Sequence, residues 1–157
     1  MKALVLSILL AASVAVGPAS AQQAAASIPT EFNANAAERV AIEKLLATYT
    51  EAVSTKNQAL FESILLAKTI PFSYVPAGAV SAETANYEGF RRGVFEGAPF
   101  TQRFTDVHML VDGSLASVTL VFINTRNQRD SWGWKTLHLL KTAQGWKIAS
   151  EFYTSHG

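Results

Sequence analysis

The chain has 157 residues, 13 basic and 12 acidic side chains, and no cysteine. Without cysteine no disulfide framework can form, so the fold depends on its hydrophobic core alone. A net charge near zero disfavours a nucleic-acid partner, because binding to phosphates normally requires a basic face.

The N-terminus has the pattern of an export signal. Lys2 provides a positive end, residues 3–16 are apolar apart from two serines, and Ala19-Ser20-Ala21 fits a small-x-small cleavage site. The apolar run is shorter than the ~20 residues that a transmembrane helix needs, which disfavours the alternative of an uncleaved anchor. We therefore predict a signal peptide over residues 1–21, cleavage after Ala21, and a periplasmic or secreted protein without membrane association.

Residues 22–35 are rich in alanine and polar side chains without periodicity, and they predict a flexible leader. The remaining residues 36–157 have the length of a single domain. Asn35 followed by Glu38 predicts a capped helix start. Apolar side chains then recur at intervals of three and four, which indicates a helix with one buried face. These side chains are Ile42, Leu45, Leu46, Tyr49 and Val53.

The next segment predicts short elements separated by turns. Asn57 predicts the cap of a second helix, and Pro71 ends the helical pattern before a short strand from Phe72 to Val75. A third helix is predicted from about Ser81 onwards. Three glycines interrupt it, each costing about 1 kcal/mol of helix stability relative to alanine, so we expect a short and irregular helix. They are Gly89, Gly93 and Gly97.

The last third of the chain predicts four consecutive strands, rich in β-branched and aromatic side chains. They run from Gln102 to Val111, Leu115 to Thr125, Ser131 to Thr142 and Trp146 to Thr154. Short turns between the later strands predict antiparallel neighbours. The predicted fold class is α+β, a cone-shaped barrel of a strongly bent, mostly antiparallel sheet packed on three N-terminal helices.

This order of elements resembles the nuclear transport factor 2-like superfamily, which includes SnoaL-like and ketosteroid isomerase-like proteins. The resembling segments are Ala41 to Asn57, Phe72 to Gly78, Asp112 to Val118, and Leu137 to Tyr153 with Gly145-Trp146-Lys147-Ile148. The resemblance implies a pocket between sheet and helices, and a homodimer. It implies no single reaction, because members isomerise, dehydrate, hydrolyse or only bind.

An isomerase of the ketosteroid kind needs a carboxylate base and two acidic donors that bind the enolate oxygen. The resemblance places the oxyanion tyrosine at Tyr49 and the base directly before the Pro-x-Gly of residues 76–78. Val75 occupies that position and cannot accept a proton, and no acidic residue between Gly113 and Gln128 supplies the partner acid. The set is therefore incomplete, which disfavours steroid-type isomerisation.

Asp106 and His108 form a second candidate constellation. Alternate residues of a strand share a face, so these two side chains point the same way. An imidazole oriented by a carboxylate can act as a general base near neutral pH. We predict Asp106, His108 and Tyr49 as the catalytic residues of a SnoaL-like isomerase or dehydratase, which requires the pair to line a closed cavity near the Tyr49 hydroxyl. The alternative is polar surface or a dimer interface.

Aromatic side chains provide a candidate ligand wall, since Trp132 and Trp134 share a strand face with His138. The predicted ligand-binding residues are Tyr49, Tyr74, Phe122, Trp132, Trp134 and His138. Core or interface positions are the alternative for the tryptophans. The pattern leaves open which face lies inside, because Leu137 and Leu139 occupy the opposite face.

Three functional hypotheses follow. The first is an exported domain that binds a small apolar or aromatic molecule in the cone. The alternatives are the SnoaL-like enzyme and a non-catalytic, self-associating module. Three scattered histidines without cysteine predict no metal site, and we expect no cofactor. The chain has neither a phosphate loop nor a Gly-x-Ser-x-Gly nucleophile elbow, which disfavours nucleotide hydrolysis and serine-esterase chemistry. The expected partners are a small-molecule ligand and a second copy of the chain.

Overall fold

The computed structural model describes residues 32–76, 78–79 and 83–156. The predicted signal peptide and the predicted leader up to residue 31 lie outside the described residues. Within the rest of the predicted leader, the Phe32 carbonyl accepts a hydrogen bond from the Val111 amide at 2.9 Å, and Asn33 forms a β-bridge with Leu110. No helix in the described part of the chain is long and apolar enough to cross a membrane.

Two helices open the fold, and both begin where the sequence predicts. Helix α1 (Ala36–Ser54) starts with a capping box in which Asn35 Oδ1 accepts from the Glu38 amide at 2.9 Å. Its predicted apolar face is buried. Helix α2 (Gln58–Glu62) is capped by Asn57, whose Oδ1 accepts from the Leu60 amide at 3.0 Å.

The middle segment contains a strand that the sequence pattern did not predict. Strand β1 (Pro71–Val75) pairs antiparallel with β2 (Glu83–Asn86), which occupies the start of the predicted third helix. This pairing overrides the local helical pattern, and helix α3 (Tyr87–Arg91) begins only after Asn86. A π-helical turn (Arg92–Glu96) follows, so the expected irregularity of this helix is present.

Four long strands complete a six-stranded mixed sheet in the order β2-β1-β6-β5-β4-β3. They are β3 (Thr101–Asp112), β4 (Leu115–Arg126), β5 (Arg129–Thr142) and β6 (Gly145–Thr154). Strands β3 to β6 pair antiparallel with one another, in chain order. The other neighbour of β6 is β1, and these two strands are parallel. The predicted α+β class, with helices packed on a mostly antiparallel sheet, is confirmed, although the sheet is open and not closed into a barrel.

The two faces of the sheet are clearly different. The face toward α1, called the inner face here, carries buried side chains such as Val118, Leu120 and Leu137. The opposite or outer face carries Trp132 and Trp134, which are 50% and 51% exposed. The core therefore lies between α1 and the inner face, and any enclosed site must lie there.

Candidate functional site

A cluster of three polar side chains lies in the centre of this core. Tyr49 of α1, Lys135 of β5 and Glu151 of β6 have exposed fractions of 0%, 2% and 0%. Lys135 Nζ lies 2.7 Å from Glu151 Oε1 and donates to the Tyr49 hydroxyl at 2.6 Å. The Tyr49 hydroxyl lies 3.0 Å and 2.9 Å from the two carboxylate oxygens of Glu151, to which it donates. The three groups thus form one connected hydrogen-bond network.

A local irregularity turns Glu151 toward the core. Strict alternation along β6 from the buried Ile148 would place Ser150 inside and Glu151 outside. The pairing of β5 with β6 shifts between His138 and Leu139, so that Leu139 faces Ile148 whereas His138 faces Ser150. One extra residue on β6 therefore reverses which side chains face inward, as a β-bulge does.

Aromatic rings surround the ammonium group of Lys135. Its Nζ lies 4.4 Å from the ring centroid of Tyr49, 5.2 Å from Phe122, 5.4 Å from Tyr153 and 5.7 Å from Phe104. Rings at such distances attract a cation through their negative faces. Tyr74 of β1 stacks on Tyr153 at 5.4 Å between centroids. These five rings are called the ring layer below.

Burial dominates the protonation behaviour of the cluster. It lowers the pKa of Lys135, and the attraction of Glu151 opposes that shift. It raises the pKa of Tyr49 well above the ordinary value of 10.0, and Glu151 adds to the increase. Tyr49 therefore stays protonated and acts as a hydrogen-bond donor. Chemically, the cluster can hold a polar atom of a ligand, or transfer a proton through Tyr49.

An open cleft of about 730 Å³ lies at the end of the β4–β5 hairpin. It is lined by Phe100, Asn124, Arg126, Asn127, Arg129, Asp130 and Ser131. Asn124 lies two residues beyond Phe122 on the inner face of β4, and Ser131 lies two residues from Gly133 on β5. The cleft is thus a continuation of the inner face, next to the ring layer.

Gly133 lets the ring layer pack closely at this border. It pairs with Phe122 across β4 and β5. A Cβ atom at position 133 would lie 2.7 Å from the Phe122 ring and 1.9 Å from the Thr154 carbonyl oxygen. Only glycine fits there, so the Phe122 ring can lie against position 133, which is between Ser131 of the cleft and Lys135 along β5.

The structure does not provide the geometry that catalysis by Asp106 and His108 requires. Both side chains are 72% exposed, and they contact each other at 3.2 Å in solvent. Asp106 has a φ of 53°, at the point where the pairing of β3 with β4 shifts between Thr105 and His108. The irregular backbone leaves the pair on the surface, so the expectation that it lines a closed cavity with Tyr49 is not met.

The predicted ligand-binding residues divide between the two faces. Tyr49, Tyr74 and Phe122 belong to the cluster and its ring layer. Trp132, Trp134 and His138 lie on the outer face, because Lys135, Leu137 and Leu139 occupy the inner positions of β5. His138 contacts the Ser150 hydroxyl at 2.7 Å. The three outer residues therefore do not line the core.

Sequence reasoning missed Lys135 and Glu151. One signal was available for Lys135, since it alternates with Leu137 and Leu139 and thus shares their face. No comparable signal existed for Glu151, because the bulge in β6 breaks the alternation. Among the described residues, no three histidine or acidic side chains lie close enough together to hold a metal ion.

Comparison with known proteins is consistent with this architecture. No curated protein matches the chain significantly. A nuclear transport factor 2-like protein of unknown function from Shewanella baltica superimposes with a TM-score of 0.61 at 16% identity, covering 80% of this chain and 99% of that one.

Two further structures are provisionally described as dehydratases. One, from Novosphingobium aromaticivorans, is described as a scytalone dehydratase; its TM-score is 0.61 at 15% identity, with 77% of this chain and 85% of that one covered. The other, from Streptomyces avermitilis, has a TM-score of 0.57 at 16% identity, with coverages of 75% and 95%. At these identities the likeness shows the fold alone. Residues 42–153 match the SnoaL-like domain family, and the chain therefore belongs to that family.

Proposed function

We propose that the protein is an exported SnoaL-like domain that binds a small aromatic or apolar molecule between α1 and the inner face. The observation that carries this proposal is the buried cluster of Tyr49, Lys135 and Glu151, enclosed by aromatic rings and next to an open cleft. The rings offer apolar contact, and the cluster offers a few fixed polar groups, as is typical of small-molecule sites.

Stability alone does not account for this cluster. Removing a charged side chain from water costs several kcal/mol, and replacing a buried ion pair by apolar residues is often neutral or stabilising. Charged and polar groups that are retained in such a setting are candidates for function. We infer that the cluster recognises a polar atom of the ligand.

The cleft provides the route to the cluster. Asn124, which lines the cleft, is followed on the inner face of β4 by Phe122, whose ring centroid lies 5.2 Å from Lys135 Nζ. A rotation of the Phe122 side chain would connect the cleft with the cluster, and the ligand would then lie against the rings of Phe122 and Tyr153.

The test measures the melting temperature of the full chain against a library of aromatic and other hydrophobic molecules. A ligand at 100 times its Kd stabilises the folded state by about 2.7 kcal/mol. We expect the double variant K135M/E151Q to lose this response, because it removes both charges at similar side-chain volume. Trp134→Ala on the outer face is the matched control and should keep the response. The proposal is wrong if no compound stabilises the wild type, or if only Trp134→Ala abolishes the effect.

A second candidate is an acid–base enzyme of the dehydratase kind. Two structural neighbours carry that provisional description. The hydrogen bonds that join Lys135, Tyr49 and Glu151 favour it, because they could move a proton to or from a bound substrate. An enzyme of this kind should remove water from hydroxylated ring substrates. We expect Glu151→Gln to abolish this activity and His108→Ala to leave it unchanged. Turnover that depends on His108 would contradict it.

We also propose that the outer face mediates self-association. Exposed aromatic side chains of β5 and β6 lie side by side there, with Trp132, Trp134 and Phe152 being 50%, 51% and 40% exposed. Large exposed apolar patches are typical of protein interfaces, and aromatic residues are enriched in them. The occupant proposed here is a second copy of the chain.

A further inference from the structure

The cleft carries more positive charge than its surroundings neutralise. Two arginines, Arg126 and Arg129, line it together with one acid, Asp130. That acid is already paired from the outer face, because Thr125 donates a hydrogen bond to its Oδ1 and Arg103 Nη2 lies 3.1 Å from its Oδ2. These two contacts also hold the pKa of Asp130 below its usual value of 3.8. Asp130 therefore does not compensate the two arginines of the cleft.

Both arginines have hydrogen-bond donors to spare. The Arg126 guanidinium lies 5.7 Å from the Phe100 ring centroid and donates one hydrogen bond, at 3.3 Å, to the Ala98 carbonyl. A guanidinium has five N–H donors, so most of those on Arg126 remain available. The Arg129 side chain forms no hydrogen bond or ion pair with any residue that the structure describes.

A neutral donor lies beside the arginines. Asn124 Oδ1 accepts a hydrogen bond from Gln102 Nε2 at 2.7 Å, which fixes the orientation of the amide. The Asn124 Nδ2 group can then donate a hydrogen bond to a ligand in the cleft. The cleft thus combines two guanidinium groups, one amide donor and the Phe100 ring, a set suited to an acid attached to an apolar body.

We propose that the cleft binds the carboxylate of the ligand through Arg126 and Arg129, so that the ligand is an aromatic or apolar acid. This inference rests on the proposed function: the carboxylate is a second polar group of the ligand, in addition to the polar atom that the cluster recognises, and the apolar part between them lies against the ring layer. Guanidinium groups match the planar geometry of carboxylates and bind them through two parallel hydrogen bonds.

The alternative position for the acid, beside Lys135, is less suitable. The Lys135 ammonium already has Glu151 as its counter-charge at 2.7 Å, whereas the cleft arginines have none among the described residues. The four steps along the strand from Ser131 to Lys135 span about 13 Å. A molecule of one or two rings held at the cleft can therefore reach the ring layer while its carboxylate stays with the arginines.

The test uses calorimetric titration of the full chain with matched acids and amides, namely 2-naphthoate with 2-naphthamide and cinnamate with cinnamamide, at pH 7 and low salt. We expect each acid to bind at least about 10-fold more tightly than its amide, the effect of a charge-assisted hydrogen bond. The double variant R126Q/R129Q should weaken acid binding by about 10- to 100-fold and leave amide binding unchanged. The control R39Q/R92Q removes the same charge elsewhere and should change neither affinity.

Each other outcome contradicts the inference in a distinguishable way. Equal affinity of the wild type for acid and amide would contradict the proposal that the ligand is an anion. It would not contradict the proposed binding function. Absence of binding by all four probes, together with no stabilisation by the library, overturns both. The acid preference could also persist in R126Q/R129Q, or disappear equally in R39Q/R92Q. Either result would show that the arginines of the cleft do not recognise the carboxylate.

Discussion

The two faces of the sheet hold polar side chains in opposite settings. On the inner face, Lys135 and Glu151 are almost completely buried and contact each other at 2.7 Å. On the outer face, Asp106 and His108 contact each other at 3.2 Å, and both are 72% exposed. The pair that resembles a catalytic dyad in the sequence lies in water, whereas the pair without any sequence motif lies in the core.

The two pairs differ in burial, and burial decides how strongly the members of each pair interact. An exposed pair gains little from its contact because water and salt screen it. A buried pair in a low-dielectric interior interacts strongly, and each member depends on the other for compensation. The inner pair is therefore where substitutions should have large effects.

The largest expected effect comes from removing one charge of the buried pair. Lys135→Met leaves Glu151 buried without its counter-charge, so the free energy of unfolding should fall by about 3–5 kcal/mol. The double variant K135M/E151Q removes both charges and should stay within about 1 kcal/mol of the wild type. Urea denaturation monitored by tryptophan fluorescence measures both.

The matched control is Lys141→Met on the same strand. Lys141 is 48% exposed, and its ammonium lies 5.6 Å from the Trp146 ring centroid. A surface substitution of this kind is expected to change stability by about 0.5 kcal/mol or less. If Lys135→Met were as stable as Lys141→Met, the distinction between the two faces would not hold.

The next effect concerns the outer face. Interface hot spots, which are enriched in tryptophan, cost about 2 kcal/mol or more when truncated. If the two tryptophans are such residues, W132S/W134S should weaken the proposed dimer by roughly 30-fold. Sedimentation equilibrium of both proteins measures this change. Val40→Ser, at a 66% exposed position of α1, is the control and should leave association unchanged. A wild-type protein that is monomeric at micromolar concentration would rule out this role for the outer face.

A smaller effect tests the packing that separates the cleft from the cluster. Gly133→Ala places a Cβ atom against the Phe122 ring and the Thr154 carbonyl, and such overpacking costs about 1–3 kcal/mol. Gly89→Ala is the matched control, because its Cβ would meet nothing closer than Asn86 Oδ1 at 3.8 Å. Alanine at position 89 should stabilise α3 by about 0.4–1 kcal/mol. Melting temperatures should therefore shift in opposite directions, and a stabilised Gly133→Ala would contradict the close packing.

The sequence predicted most of the fold because its signals are local. The capping residues Asn35 and Asn57 mark the helix starts, and glycines in turns mark the strand ends, with positive φ angles of 56° at Gly113 and 96° at Gly145. Strand β2 was missed because its pairing with β1 is not encoded in its own four residues. A partner elsewhere in the chain decides its conformation.

The site was predicted only in part, for a physical reason. Tyr49 follows from the helical periodicity, and Phe122 from its strand. Which face of β5 lies inside depends on packing against α1, and the inward position of Glu151 depends on a bulge. Alternation alone therefore could not distinguish the outer tryptophans from the inner Lys135.

A third charged group lies at the edge of the core, between the settings of these two pairs. Glu62 at the end of α2 accepts hydrogen bonds from Gln58 and Tyr87 at 2.7 Å and 2.9 Å, and it forms an ion pair with Lys68 at 2.7 Å. Its side chain is 17% exposed, intermediate between the buried and the exposed pair. The contact with Lys68, and then that with Gln58, lowers the pKa of Glu62 from 4.5 to about 2.

The smallest predicted effect is therefore dependent on pH. Because the unfolded chain binds the proton more tightly, the stabilisation from Glu62 is fully present above pH 4.5 and is lost as the pH falls toward about 2. At neutral pH, Glu62→Gln should lower the free energy of unfolding by about 0.5–1.5 kcal/mol, and this difference from the wild type should shrink as the pH falls through that window. Denaturant titrations across the range measure the difference, with Glu51→Gln on the exposed side of α1 as the control. A constant difference at every pH would mean that Glu62 stabilises the edge of the core by packing and not by its charge.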